Sequence, residues 1–245
     1  MAGTLIAGNW KMNGARAELA AWRAVASDIA ACAQAGVEIV ICPPATLLAE
    51  AVSTLAVSGA QLGGQACRAE PKGAFTGDLS AALLADAGAR FVILGHSERR
   101  AGWGETDVQI RDQAKSALAA GLTPIVCVGE GAQSRDAGEA EAVIAAQVSA
   151  CAPQAGAVVW AYEPIWAIGS GRTPEPQQFT DAAAAVRDAL GGAGARARVL
   201  YGGSVTADNA TDILALAGIN GVLVGGASLD PQLFLQILRK AARSE

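Results

Sequence analysis

A single-domain (β/α)8 barrel of the α/β class is predicted for this chain, and three observations carry the expectation. Eight short β-rich apolar runs recur along the 245 residues, with helix-patterned stretches between them. The runs are nearly continuous in apolar residues, as strands covered on both faces are, so the sheet should be parallel with helical crossovers. The length lies near the ~250 residues typical of such barrels, and no linker, low-complexity tract or composition shift divides residues 1–245. An open doubly wound sheet is the alternative, but no glycine-rich dinucleotide fingerprint opens a helix after the first run.

Taken in order, TLIAGNW from residue 4 is the first strand segment, and a helix pattern follows with Leu19, Trp22, Val25, Ala26 and Ile29 at 3/4 spacing. VEIVICP from 37 is the second. AQLGGQA from 60 is the third, and CRAEPKGAFTGDLS (67–80) after it is the longest connection without helix pattern. FVILGH from 91 is the fourth; the Ser-Glu-Arg that follows reads as a helix start. TDVQIRDQAKSALAAG reads as a helix ending on Gly121, and TPIVCVGE from 123 as the fifth strand. AVVWAYEP from 157 is the sixth. Thr173 before Pro174, and Asp230 before Pro231, each set a capping side chain ahead of a proline suited to the first helical turn. ARVLYGGS from 197 is the seventh strand, after the short GGAGAR, and GVLVGGAS from 221 is the eighth.

Composition narrows the function. With 52% hydrophobic and 17% charged residues the chain can bury a core large enough to offset its ordering entropy. The net charge of −5 and scattered basic residues leave no footprint for nucleic acid or an anionic membrane, so an anionic ligand must be held locally. No apolar run approaches ~18 residues and the N-terminus lacks a basic leader, so neither a membrane span nor a signal peptide is expected. Five cysteines without a CxxC pair fit reduced thiols, hence a cytoplasmic protein. A single histidine excludes a His-rich metal site, and no metal site is expected.

In a barrel of this kind functional residues project from the C-terminal ends of the strands. Those ends carry Asn9 and Lys11, His96, Glu130, Glu163, Ser204, and the pair Gly225 and Gly226. Lys11, one of four lysines, is either a solvated surface residue, an ammonium beside an anion, or a Schiff-base amine. His96 is either a core histidine or, at a helix start that disfavours imidazolium, a neutral electrophile. Glu130 reads as one half of a structural ion pair. Glu163 either caps its strand or serves as a base, and the long, partly apolar stretch after it argues that more than a turn is being built. YGGSV and VGGAS add two glycine turns after the last two strands, whose backbone N–H groups suit a phosphate.

AGNWKMNG, GAFTGD, ILGHSERR, CVGE, AYEPIWAIGSGRTP, YGGSV and LVGGASL, in that order and spacing, resemble the triosephosphate isomerase family along the whole chain. The resemblance implies the TIM barrel and interconversion of dihydroxyacetone phosphate and glyceraldehyde 3-phosphate through an enediolate, in glycolysis and gluconeogenesis, with no cofactor. It implies Glu163 as base, His96 as neutral electrophile, Lys11 as the cation at the substrate and Asn9 as its polar partner. Asn9, Lys11, Gly169, Ser204, Gly225 and Gly226 would bind substrate or phosphate, with Ser97 and Glu98 supporting. Pro164, Ile165, Trp166, Ala167, Ile168, Gly169, Ser170, Gly171, Arg172, Thr173 and Pro174 would form a lid.

The resemblance also implies a homodimer, with Phe75, Thr76 and Gly77 at the tip of a docking loop and Thr76 near the neighbour's Lys11 and His96. Asp78 stands where relatives usually carry a longer Glu, and Ser170 and Arg172 where Thr and Lys are common. Two rivals stay open: another phosphosugar barrel enzyme, an aldolase or epimerase, and a non-catalytic phosphate-binding barrel.

Overall fold

The computed structural model describes residues 3–167, 172 and 174–243. Its strands are β1 Leu5–Asn9, β2 Glu38–Cys42, β3 Gln61–Gly64, β4 Phe91–Leu94, β5 Thr123–Val128, β6 Val159–Tyr162, β7 Arg198–Tyr201 and β8 Gly221–Val224. Each pairs in parallel with the next, and β8 pairs back onto β1, so the sheet closes. The barrel expected from the repeating pattern is therefore the fold, and all eight strands fall within the runs that predicted them.

The helices are α1 Arg16–Ala24, α2 Ala26–Gln34, α3 Leu48–Thr54, α4 Ala81–Asp86, α5 Ser97–Trp103, α6 Asp107–Ala119, α7 Ala132–Asp136, α8 Ala140–Cys151, α9 Pro176–Ala189, α10 Ala210–Leu214 and α11 Pro231–Ala241. Three expectations shift here. The pattern from 15 to 34 is two helices, because Val25 (φ −106°, ψ 3°) leaves the helical range and its N–H bonds back only three residues to Trp22. The helix after the sixth strand starts at Pro176 with Glu175 as cap, where Glu175 and Gln178 form a capping box; of the expected Thr173–Pro174 start, Thr173 lies outside the described residues. GGAGAR forms a short 3-10 turn, Gly191–Arg196. Other boundaries agree: Thr106 caps α6 with Gln109, Gly121 follows at φ +78°, and Asp230 accepts from the N–H groups of Gln232 and Leu233 ahead of α11.

Side chains along a strand alternate between the two faces. One face of each strand joins the helices in the outer apolar shell. The other face fills the barrel with Leu5, Ala7, Val40, Cys42, Phe91, Ile93, Ile125, Cys127, Val159, Ala161, Leu200 and Leu223. β3 supplies glycine to this interior, since a Cβ on Gly63 would lie 2.5 Å from the Cys42 sulfur. Small and large residues thus fit one another between neighbouring strands, as close packing requires.

Candidate active site

Continuing the inward set by two residues on each strand gives Asn9, Pro44, Gln65, Gly95, Gly129, Glu163, Gly202 and Gly225. Four of the eight are glycines, so the C-terminal mouth of the barrel is hollow; Gln65 is engaged with the Cys42 carbonyl, and the polar side chains that line the cavity from this set are Asn9 and Glu163. Glu163 is only 2% exposed. Its own N–H donates to the Val128 carbonyl at 2.8 Å, continuing the β5–β6 ladder and fixing its direction.

His96 would not reach this mouth by alternation alone. Gly95 lies in the left-handed region (φ +65°), and that turn redirects the chain so that His96 caps α5. The Glu98 N–H donates to His96 Nδ1 at 3.3 Å. An Nδ1 that accepts carries no proton, so the hydrogen-bond network assigns the neutral ring its proton on Nε2. Nε2 lies 2.9 Å from Glu163 Oε1, and the other carboxylate oxygen accepts the Ser97 N–H at 2.8 Å. The α5 N-terminus therefore serves both partners: one amide orients the imidazole and another holds the carboxylate.

Lys11 is the sole described non-glycine residue at positive φ (+54°), a conformation that costs energy and that Asn9 helps hold by accepting the Lys11 N–H at 3.0 Å. Its ammonium pairs with Glu98 Oε1 at 2.6 Å. Gly225 lies beside the same side chain, where a Cβ would be 3.7 Å from Lys11 Cε. Asn9, Lys11, His96, Ser97, Glu98, Glu163, Ser204, Gly225 and Gly226 all line one cavity of about 740 Å³. Every described residue named for catalysis, support or phosphate binding is brought together there. Gly169, Ile168, Ser170, Gly171 and Thr173 lie outside the described residues.

The two glycine turns differ. After β8 the chain enters a short 3-10 turn, Gly226–Ser228, directly, whereas after β7 it runs through turns before α10. The Tyr201 phenol is raised to about 12 chiefly by burial, opposed by a hydrogen bond from the Ser204 backbone. Gly203 is required here because a Cβ would lie 1.9 Å from the Tyr201 oxygen.

On the β6 side Ala167 N–H donates to the Pro164 carbonyl at 2.9 Å, and Trp166 is buried with two guanidinium groups near its ring, Arg172 at 4.6 Å and Arg135 at 5.5 Å. Arg172 also pairs with Asp136 at 3.1 Å. Glu130 is a structural ion pair, as expected. Arg135 Nε donates to it at 2.8 Å, and the Tyr162 hydroxyl donates at 3.1 Å. Burial is the main cause raising the Tyr162 phenol, with the nearby Glu130 carboxylate adding to it.

Not singled out from sequence are Gly129, Tyr201 and, beyond its place in the YGGSV turn, Gly202. The period of two along β5 and β7 would have found both glycines, since Ile125 and Cys127 lead to Gly129, and Leu200 leads to Gly202. Nothing local marks Tyr201. Among the described residues no group of three or more His, Cys, Asp or Glu could hold a metal, and no helix is long and apolar enough to cross a membrane. The five cysteines are buried free thiols.

A closed parallel barrel with a carboxylate and an imidazole in contact at its C-terminal rim defines an α/β-barrel enzyme equipped for proton transfer. Comparison with known proteins narrows the class. The sequence profile of the triosephosphate isomerase family matches residues 4–241, and the chain belongs to that family, so it is an isomerase. It is 50% identical to the triosephosphate isomerase of Hyphomonas neptunium over 98% of this chain and 99% of that one. It is 50% identical to that of Xanthobacter autotrophicus over 96% and 95%. The crystal structure of triosephosphate isomerase from Bartonella henselae superposes with a TM-score of 0.88 at 38% identity, covering 97% of this chain and 98% of that one.

Proposed function

We propose that this barrel, as one catalytic domain, interconverts dihydroxyacetone phosphate and glyceraldehyde 3-phosphate with Glu163 as base and His96 as electrophile. The observation that carries the assignment is the 2.9 Å contact between His96 Nε2 and Glu163 Oε1 at the floor of the cavity. The imidazole already presents its proton where a substrate carbonyl oxygen would sit. Substrate would take that hydrogen bond, freeing the carboxylate to remove the C1 proton of the ketose. The electron pair of the C–H bond becomes the C1–C2 double bond of an enediolate, and His96 Nε2–H stabilises the charge on oxygen. The proton on the C1 oxygen passes to the charged C2 oxygen, and protonation at C2 by the Glu163 carboxylic acid, as C1–O1 becomes the carbonyl, then yields the aldose. One carbon is oxidised as its neighbour is reduced, so the reaction balances without a redox cofactor.

The phosphate would be held by the Lys11 ammonium and by backbone N–H groups at Ser204, Gly225 and Gly226, with Asn9 keeping Lys11 in its strained conformation. Lys11 would exchange Glu98 for substrate. Residues 164–174 would cover the site, excluding water that would otherwise let the intermediate expel phosphate. A coupled assay with glyceraldehyde 3-phosphate tests the reaction directly; no turnover with either triose phosphate would sink it.

Function as a homodimer is part of the same reading. Of the seven large hydrophobic side chains exposed among the described residues, six (Met12, Val57, Phe75, Leu83, Trp103 and Val108) follow one of the strands β1 to β4, one half of the closed sheet. The loop around Phe75, Thr76 and Gly77 is preshaped. Arg68 pairs with Glu70 at 3.0 Å and with Asp78 at 2.9 Å, and its guanidinium lies 3.9 Å from the Phe75 ring centre. Asp78 is therefore engaged within its own chain. An exposed loop and exposed apolar side chains on the same half of the barrel suit the self-complementary surface of a two-fold dimer. Sedimentation at micromolar concentration should give twice the chain mass, and a monomer would end this part of the reading. A cytoplasmic location in glycolysis and gluconeogenesis completes it, supported by the five free buried thiols.

A further inference from the structure

Beneath His96 lies a charged cluster that the reaction as written does not use. Arg100, on α5, is mostly buried, with 17% of its side chain exposed. Its guanidinium Nε donates to the Gly95 carbonyl at 2.8 Å. One terminal nitrogen donates to the Cys127 carbonyl at 3.0 Å, and the other pairs with Asp107, the first residue of α6, at 2.6 Å. The Cys151 thiol approaches from α8, 3.6 Å from the guanidinium and 3.3 Å from the Asp107 carboxylate.

We infer that Arg100 is a positioning residue for the reaction: one guanidinium sets where His96 stands relative to Glu163. The inference rests on the reading of His96 as electrophile. Its physical basis is the planarity of the peptide unit. The Gly95 carbonyl shares a plane with the His96 nitrogen, so a donor fixed on that oxygen fixes the direction in which His96 leaves the left-handed turn. The second carbonyl held, that of Cys127, belongs to β5, and the next residue, Val128, accepts the Glu163 N–H at 2.8 Å. Arg100 thus bridges the strand end that carries the imidazole to the strand end that carries the carboxylate.

Space is reserved for this arrangement. A Cβ on Gly95 would lie 3.2 Å from an Arg100 terminal nitrogen and 2.7 Å from Ile110 Cδ1, so the turn and the guanidinium are built against one another. Lysine cannot replace it. An ammonium is a point charge without the planar fork of donors, and it could keep Asp107 but not both carbonyls in their present directions.

The test uses Arg100→Lys, with His96→Gln in parallel. The chain has a single histidine, so one set of imidazole ¹⁵N resonances reports on His96 alone. Arg100→Lys is expected to stay folded by circular dichroism, to lower kcat about 10- to 100-fold with KM within about threefold, and to shift the His96 ring resonances. A purely structural role would lower the melting temperature and leave kcat and the ring resonances of the folded protein unchanged. A kcat within twofold of the parent, or a fall in kcat with the resonances unmoved, overturns the inference. If Arg100→Lys does not fold, Arg100→Gln, whose planar amide can still reach one carbonyl, takes the same measurements with the same expectation. The His96→Gln arm separates the two ideas. Undiminished turnover there defeats the reading of His96 itself, whereas a slow His96→Gln beside an unaffected Arg100 variant defeats only the positioning role.

Discussion

The carbonyl oxygen of Glu163 fills the space that a side chain on Gly129 would need, lying 1.8 Å from where a Cβ would stand. The neighbour is backbone, so no rotamer change relieves the overlap. Gly129→Ala must push apart the ends of β5 and β6 by about 1 Å, and a displacement of that size costs on the order of 10² in rate when it falls on a catalytic base. The expected result is a folded enzyme of lower melting temperature with kcat reduced about 10²-fold. A variant of parental activity would show that the rim tolerates the shift.

Glu163→Asp draws the carboxylate back by roughly one methylene, about 1 Å, without changing its charge. Steady-state kinetics should show kcat lower by about 10²-fold or more, with KM and inhibition by inorganic phosphate nearly unchanged. Equal losses in kcat and in phosphate affinity would mean that Glu163 serves binding instead.

His96→Gln keeps a donor near the Nε2 position but not the imidazole that Glu98 orients. Turnover should fall about 10²-fold with the thermal melt within a few degrees of the parent, a typical loss for one donor at a developing oxyanion. An unfolded variant would instead assign His96 to the core.

Lys11 bears on the aldolase alternative. Its side-chain nitrogen is held by Glu98 at 2.6 Å, a contact that Schiff-base formation would have to give up. Borohydride added with dihydroxyacetone phosphate should leave the chain mass unchanged. An adduct mapped to Lys11 would make the aldolase reading the better one.

Burial raises the thiols of Cys42, Cys67 and Cys151, and the phenol of Tyr201, to about 12 in the folded protein. In the unfolded chain thiols titrate near 9 and the phenol near 10. Below pH 9 these groups hold their protons in both states, and their contribution is complete. As pH rises from about 9 towards 12 the unfolded state loses protons that the folded state keeps, so stability falls, by up to ~1.4 kcal/mol per pH unit for each group. The urea midpoint should drop steeply between pH 8 and pH 10.5, and Cys42→Ala should flatten part of that slope. A midpoint independent of pH over this range would contradict the assignment.

Much of this protein can be read from its residues in order. The eight apolar runs and the helix patterns between them dictate a barrel, because alternation of strand and crossover helix leaves a parallel sheet few ways to cover both faces. Asn9, Lys11, His96 and Glu163 are legible as candidate site residues from their place at or just after strand ends, and Asp230 as a cap from the proline behind it. What sequence could not show is set by contacts between segments far apart in the chain. The break at Val25 is invisible to periodicity because 3/4 spacing continues through it. Gly129 and Gly203 look like ordinary turn glycines until Glu163 and Tyr201 arrive beside them from other strands. Arg100 looks like a second arginine in a charged helix start, and only the closed barrel brings the Gly95 and Cys127 carbonyls within reach of one guanidinium. Local pattern determines which elements form, since it is governed by the burial of neighbouring residues. The distance between imidazole and carboxylate was decided only by the tertiary structure, because it is fixed by close packing and hydrogen bonds across strands.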